Sequence, residues 1–160
     1  MRNIKTIVRN IMAFTLIFSI NITVFASGND LNKAEDTSLF INENCSEISL
    51  SADARGNILN QGTAKITDNG NSSVNVYGAV FGSVVCDKMT LKLTLQRYSG
   101  GNWYNIRTFS DTAYNTALLS KSYNVQVTRG YYYRVKAACI AQDGSITESK
   151  DPTTDGIYIK

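Results

Sequence analysis

Apolar and polar residues alternate along most of the chain from about residue 47 onward. The clearest segment is KMTLKLTLQRY, where an apolar set alternates with a polar set. The apolar set is Met89, Leu91, Leu93 and Leu95, and the polar set is Thr90, Lys92, Thr94 and Gln96. Because side chains two residues apart in a strand point to the same side, this pattern predicts a strand with one buried face and one face in water.

The same period of two recurs in other segments that turn residues separate. These segments are EISLSAD, TAKIT, SSVNVYGAV, WYNIRTF, YNVQVTR, GYYYRVKAACIAQ, SITES and GIYI. Turns are predicted at Asp68-Asn69-Gly70, at residues 99–102 and at Asp143-Gly144, because Asn-Gly and Gly-rich pairs favour tight hairpins. Residues 111–120 alone allow a helical turn, with a loop as the alternative.

Seven or eight short strands at hairpin spacing predict an all-β fold. We expect an antiparallel β-sandwich, with a small β-barrel as the alternative. The predicted domain covers residues 45–160, a length that suits one domain with its own core.

The first 26 residues have the features of a secretory signal peptide. Its positively charged start is formed by Arg2, Lys5 and Arg9. A mostly apolar stretch follows over residues 11–25, and small residues ahead of the site predict cleavage after Ala26. An uncleaved anchor is the alternative. Residues 27–44 are mostly polar and predict a flexible leader that becomes ordered near its end.

Export changes the interpretation of the charge. The whole chain has 16 Lys and Arg against 13 Asp and Glu, a net charge of +3. The predicted signal holds three of the basic residues and no acid, so the remainder is neutral overall. We therefore expect an extracellular protein without a stable membrane span after cleavage. We also expect no nucleic-acid partner, because proteins that bind nucleic acids usually carry a strong positive charge.

Two segments carry a resemblance to a known family. GYYYRVKA followed by Asp143-Gly144 resembles the sixth strand and next turn of fibronectin-III and immunoglobulin-like sandwiches, and LTLQRYSGGNWYNIRTF resembles their central strand, hairpin and following strand. Over roughly Thr63 to Ile159 the chain resembles small secreted β-sandwich proteins of Gram-positive bacteria that have no assigned activity. In the immunoglobulin pattern the tryptophan lies in the central strand. Trp103 departs from this pattern, because it follows the hairpin.

The resemblance implies positions for the tyrosines of the sixth strand. One face would hold Tyr131, Tyr133, Val135, Ala137 and Cys139, and the other would hold Tyr132, Arg134, Lys136 and Ala138. We expect Tyr131, with Tyr133 as the alternative, to form a tyrosine corner with backbone a few residues upstream.

The resemblance also implies a pairing of cysteines. It puts Cys86 and Cys139 at the same end of the sandwich, and so implies a Cys86–Cys139 disulfide. Cys45 would then be free or would pair between chains. An oxidising compartment outside the cell favours bridging over redox catalysis.

Catalytic chemistry has little support in the sequence. Without histidine, Ser-His, Cys-His and His-zinc sites are excluded. A pair of carboxylates is sufficient for a glycosidase, but the acids stand singly in turns, where Asp bonds its own backbone. The segment DNGNS at residues 68–72 lacks the acidic residues of a calcium loop. We expect a non-enzyme with no cofactor and no metal site.

Aromatic residues give the functional hypothesis. Tyr98, Trp103, Tyr104 and Tyr132 lie in or beside predicted turns and outward positions, where such rings supply stacking area for sugars or proteins. Alternatively, Trp103 closes its hairpin and half of the tyrosines line the core. The sequence thus predicts a secreted binding or surface-interaction module for a glycan, cell-wall or protein ligand. The alternatives are a self-associating envelope or matrix protein and a secreted effector or toxin.

Overall fold

The computed structural model describes residues 39–51 and 58–160. Among these residues it has eight strands and no helix, which confirms the all-β prediction. The strands are β1 (Phe40–Ile41), β2 (Cys45–Ser51), β3 (Leu59–Gly70), β4 (Ser73–Ser99), β5 (Asn102–Gln126), β6 (Tyr131–Asp143), β7 (Ile146–Lys150) and β8 (Gly156–Ile159). No described segment forms a helix with the length and apolar character that crossing a membrane requires. The predicted signal peptide and the leader up to residue 38 lie outside the described residues.

All eight strands belong to one hydrogen-bonded sheet. Its order is β1-β8-β6-β4-β3-β2, with β5 paired to both halves of β4 and β7 paired to β6. The β1–β8 pair is parallel, and the other strand pairs are antiparallel. Strand β6 pairs with β4, β7 and β8, and β1 joins the sheet through β8.

Strand β4 is central to the sheet, and its two halves pair with different strands. Residues 74–81 lie between β3 and the second half of β5, whereas residues 88–97 lie between β6 and the first half of β5. The β4–β5 ladder is interrupted between Phe81 and Cys86, where the sheet bends. The two halves then face each other, because a Cβ atom at Gly78 would lie 2.5 Å from Cδ2 of Leu93. A residue without a side chain is required for this close approach.

The core lies between the facing halves. The predicted buried face of KMTLKLTLQRY is confirmed, since Met89, Leu91, Leu93 and Leu95 are all 0% exposed. From β6 they meet Val135, Ala137 and Cys139, and the same cluster includes Ile66 and Val76 from the other half. Burying one leucine of this kind stabilises the fold by about 1.5–3 kcal/mol.

The predicted boundaries of the strands differ from the observed ones. Strands β4 and β5 have 27 and 25 residues, where shorter strands were expected. The helical turn or loop predicted for residues 111–120 is wrong, because this segment belongs to β5 and pairs with β4 from Asp111–Leu91 to Thr116–Cys86 and, after the interruption, again from Leu118–Phe81. Pairing along β4 overrides a weak local preference there. Asn115 marks the irregularity, with a φ of 49°.

Strand β1 lies inside the predicted leader. The N–H of Gly156 donates to the carbonyl oxygen of Leu39 at 2.7 Å, and the Leu39 N–H donates to Oδ1 of Asp155 at 3.0 Å. The described fold therefore includes residues ahead of residue 45, where the domain was predicted to begin.

The predicted inward face of β6 is buried, except that Tyr131 is only half-buried. The Tyr133 hydroxyl donates to the carbonyl oxygen of Thr128 at 2.8 Å and accepts from its N–H at 3.1 Å. Tyr133 therefore forms the tyrosine corner, and the preference for Tyr131 is wrong. The Gly130 N–H donates to the carbonyl oxygen of Ile159 at 2.8 Å, so this glycine links the start of β6 to β8. The Tyr131 ring instead lies 4.6 Å from the Arg97 guanidinium.

The predicted Cys86–Cys139 disulfide is not formed, and Cys45, Cys86 and Cys139 are free thiols. Cys139 pairs with Leu91 in the β4–β6 ladder, well along β4 from Cys86. At about 3.3 Å per residue, the two cysteines are separated by roughly 16 Å along the strand, whereas a disulfide requires Cα atoms within about 7 Å. Burial raises the pKa of Cys139 to about 12 and also raises that of Cys86, so both thiols stay protonated at neutral pH.

Candidate binding face

Outward side chains of β4, β5 and β6 form a regular lattice that we call the outer face. The ladders align Gln96 with Asn105 and Arg134, Thr94 with Thr108 and Lys136, and Lys92 with Ser110 and Ala138. Since these residues alternate with the buried set along each strand, they point away from the core. The sequence pattern predicted this orientation for the β4 and β6 members.

Hydrogen bonds cross all three strands on this face. The Arg134 Nε donates to Oε1 of Gln96 at 2.7 Å, and Nε2 of Gln96 donates to Oδ1 of Asn105 at 2.8 Å. One row below, the hydroxyls of Thr94 and Thr108 lie 3.3 Å apart. These bonds hold polar groups in fixed orientations, as a ligand-binding face on strands requires.

A groove of about 250 Å³ runs over the lattice. Its lining residues are Lys92, Thr94, Gln96, Asn105, Lys136, Ala137 and Ala138. The groove exists because Ala138, beside Lys92, is too short to fill the space between the longer side chains. Its polar groups are hydroxyls, amides and ammonium groups, and no carboxylate lines it.

The charge of the outer face is positive. Lys92 and Lys136 are exposed, and neither forms an ion pair within the described part of the chain, unlike Lys65 with Glu47 and Lys121 with Asp111. Arg134 is only 7% exposed, since its guanidinium lies 4.2 Å from the Trp103 ring. A positive region therefore exists on a chain whose predicted secreted part has no net charge.

Five aromatic residues form a cluster at one end of the outer face. They are Phe40, Tyr98, Trp103, Tyr132 and Tyr158. Phe40 is central, with ring centroids 4.7 Å from Tyr98, 5.8 Å from Trp103 and 4.7 Å from Tyr132. Tyr132 contacts Tyr158 at 5.1 Å. A Cβ atom at Gly156 would lie 2.8 Å from the Trp103 ring, so β8 fits against the indole only as glycine.

The structure brings three of the four predicted aromatic residues together and separates the fourth. Tyr98, Trp103 and Tyr132 belong to the cluster, and their rings pack mainly on one another. Tyr104 is 53% exposed and aligns with Arg97 on the opposite side of the strand. Trp103 and Tyr104 therefore do not share one surface, contrary to what a joint binding role requires.

Several members of the face were missed as site residues. Arg134 and Lys136 stood at outward positions of GYYYRVKA, and Tyr158 alternates with Ile157 and Ile159, so periodicity could have identified them. Phe40 had no such signal, because it lies in a two-residue strand whose partner is distant in sequence.

The acidic side chains mostly support backbone turns. Carboxylate oxygens of Asp68, Asp87 and Asp155 accept backbone N–H groups of Gly70, Gly144 and Leu39 at 2.8, 2.9 and 3.0 Å. Asp111 accepts the Tyr123 hydroxyl, which raises the pKa of this tyrosine. No group of three or more potential metal ligands occurs within residues 39–51 and 58–160.

Comparison with known proteins gives little further information. No family model and no curated protein matches the chain. Among solved structures, the sporulation control protein Spo0M of Bacillus subtilis is similar over 74% of this chain and 51% of that one, at 10% identity and a TM-score of 0.31. The similar part is thus about half the length of Spo0M, and so low a score supports no argument about function.

Proposed function

We propose that the protein is a secreted, non-catalytic binding module whose ligand is a glycan or another component of the cell envelope. The observation that carries the proposal is the hydrogen-bonded, positively charged outer face with its groove. Rigid sheets that hold polar groups in fixed positions bind with a low entropic cost. Hydroxyl, amide and ammonium groups are suitable partners for sugar hydroxyls and anionic substituents.

Secretion belongs to the same proposal. It is supported by the charged start, the apolar stretch and the small residues before Ala26. N-terminal sequencing of protein recovered from the medium of a producing culture tests it, with Ser27 expected as the first residue. Recovery of the intact chain in the membrane fraction alone would indicate an uncleaved anchor.

For the finer class of the fold we propose a fibronectin-III or immunoglobulin-like sandwich. The facing halves of the bent sheet and the Tyr133 corner support this class. An experimental structure tests it. Hydrogen bonding of β5 to β1 or β2, which would close the sheet, would instead indicate a barrel.

The binding proposal is tested by exposing the secreted protein to an array of glycans and cell-wall fractions. We expect retention on at least one carbohydrate polymer, with loss of retention when the groove is filled by Ala138→Arg. The control is Ser120→Arg, an exposed position in the second half of β5. Binding to no envelope fraction at all would contradict the proposal.

One observation favours a second candidate, self-association as an envelope or matrix protein. Strand β5 pairs only with β4 among the described strands, so the other edge of its 25 residues has no partner there. Open edges of this length are templates for strand addition. Light scattering over a concentration series decides: self-association predicts growth that Leu118→Pro in this edge abolishes, whereas a monomer at high concentration would contradict it.

A further inference from the structure

We infer that the outer face binds a linear, anionic carbohydrate polymer, one bearing carboxylate or phosphate groups along its length. The inference rests on the proposed binding function and names its ligand class. Four outward residues in the three paired strands are cationic: Lys88, Lys92, Arg134 and Lys136. Asp111 of β5 instead aligns with the buried Leu91, and the Asp87 carboxylate accepts the backbone N–H of Gly144 in the turn after β6.

The spacing of the cations fits a polymer. In the β4–β6 ladder Lys136 aligns with Thr94 and Ala138 aligns with Lys92, so the two lysines are diagonal neighbours. Diagonal neighbours on one face are about 7–8 Å apart at their Cα atoms. Lys88 continues the outward side of β4 beyond Lys92, whereas the Arg134 guanidinium is covered by Trp103. Successive anionic groups of a chain in the groove would therefore meet Lys92 and Lys136.

The shape of the groove also favours a polymer over a small molecule. Pockets that enclose small ligands have about 300–1,000 Å³ and bury most of the ligand. The groove here has about 250 Å³ and opens to solvent between exposed lysines. A segment of a longer chain can lie in such a groove and gain affinity from contacts repeated along the face.

The lining distinguishes carbohydrate from the other polyanions and from protein. Single-stranded nucleic acids require open aromatic faces for base stacking, but the rings beside the groove pack on each other and on Arg134. Protein interfaces require apolar or aromatic anchors at their centre, whereas the groove offers hydroxyls, amides and alanines. Sugars with anionic substituents match both the polar groups and the charge.

The test measures binding of the secreted protein to four polymers by calorimetry. These are polygalacturonate as the carboxylate source, poly(glycerol phosphate) as the phosphate source, neutral dextran and oligo-dT. The variant is Lys92→Gln with Lys136→Gln. The matched control is Lys65→Gln with Lys121→Gln, which removes the same charge from lysines that are paired with Glu47 and Asp111 elsewhere.

We expect at least one anionic carbohydrate to bind, dextran not to bind, and oligo-dT to bind more weakly. The groove variant should lose roughly tenfold in affinity, the effect of two surface charge contacts, while the control stays within about twofold. Which polymer binds identifies the anionic group. Equal losses in both double variants, tighter binding of oligo-dT, or equal binding of dextran would overturn the inference.

The outcome also separates this inference from the proposed function. Retention on neutral wall glycans without affinity for either anionic polymer would reject the anionic ligand and leave the binding module standing. No binding to any polymer or envelope fraction would reject both.

Discussion

The two faces of β4 have opposite chemistry at neighbouring residues. Leu91, Leu93 and Leu95 are fully buried between the halves of the sheet, whereas Lys92 and Thr94 line an open groove. The strand therefore carries both the core and the candidate site, one residue apart. Because the core fixes the backbone, substitutions on the outer face should alter binding with little effect on folding, and substitutions on the inner face should do the reverse.

The largest expected effect is a difference in stability between substitutions at two adjacent residues of β4, one on each face. Leu93→Ala should lower the free energy of unfolding by about 2–5 kcal/mol, because it leaves a cavity in the core. Lys92→Ala should change it by less than about 0.5 kcal/mol, as exposed substitutions do. Urea denaturation measures both. Similar losses in the two variants would contradict the division between the faces.

A second prediction concerns the buried thiol of Cys139 on the inner side of β6. Burial raises its pKa to about 12, while a thiol in the unfolded chain titrates near 8.5. Between these two pKa values the folded state holds a proton that the unfolded state has lost. The contribution of this thiol to the free energy of unfolding is therefore fully present below a pH of about 8.5 and is lost as the pH rises toward 12.

The expected slope is up to about 1.4 kcal/mol per pH unit for one proton. Denaturation of the native protein and of Cys139→Ala between pH 9 and 11 measures it. Cys139→Ala should lose the part of the pH dependence of the free energy of unfolding that this thiol causes. Cys45→Ala, at a partly exposed position, should keep that pH dependence. An unchanged slope in Cys139→Ala would contradict the burial argument.

A third, smaller effect is a difference in stability between substitutions of two tyrosines on the same face of β6. Tyr133→Phe removes the hydrogen bonds to Thr128 and leaves backbone groups without this partner, so it should cost about 1–3 kcal/mol. Tyr131→Phe should cost less than about 0.5 kcal/mol. The difference in denaturation midpoints checks the assignment of the corner. A larger cost at Tyr131 would restore the original expectation.

The smallest effect concerns reactivity alone. We expect all three cysteines to react with a thiol reagent in denaturant without reductant, and only Cys45 to react quickly in the folded protein. Mass spectrometry counts the labels. A single label in denaturant would indicate a disulfide and contradict the free thiols.

The sequence predicted best what depends on local periodicity. Alternation identified the buried residues of β4 and the outward position of Lys136, because the period of two is independent of where neighbouring strands lie. Alternation also implies that Trp103 and Tyr104 point to opposite sides of their strand, although both were among the candidate binding residues.

What the sequence could not predict depends on distant pairing. The β1–β8 pair joins residues 40 and 156, and it brings Phe40 into the aromatic cluster without any pattern in a strand of two residues. The disulfide prediction was wrong for a similar reason. Position along a ladder, which places Cys139 beside Leu91, is set by the register of β4 with β6 and not by spacing in sequence.

Chemical-shift mapping by NMR during titration with a short oligogalacturonate or glycerol phosphate oligomer tests the central claim most directly. The account predicts that perturbations concentrate on outward residues of the lattice, such as Lys92, Thr94 and Lys136, and leave the edge of β5 and strands β2 and β3 unchanged. Perturbations confined to those strands or to the β5 edge, with the lattice silent, would contradict it.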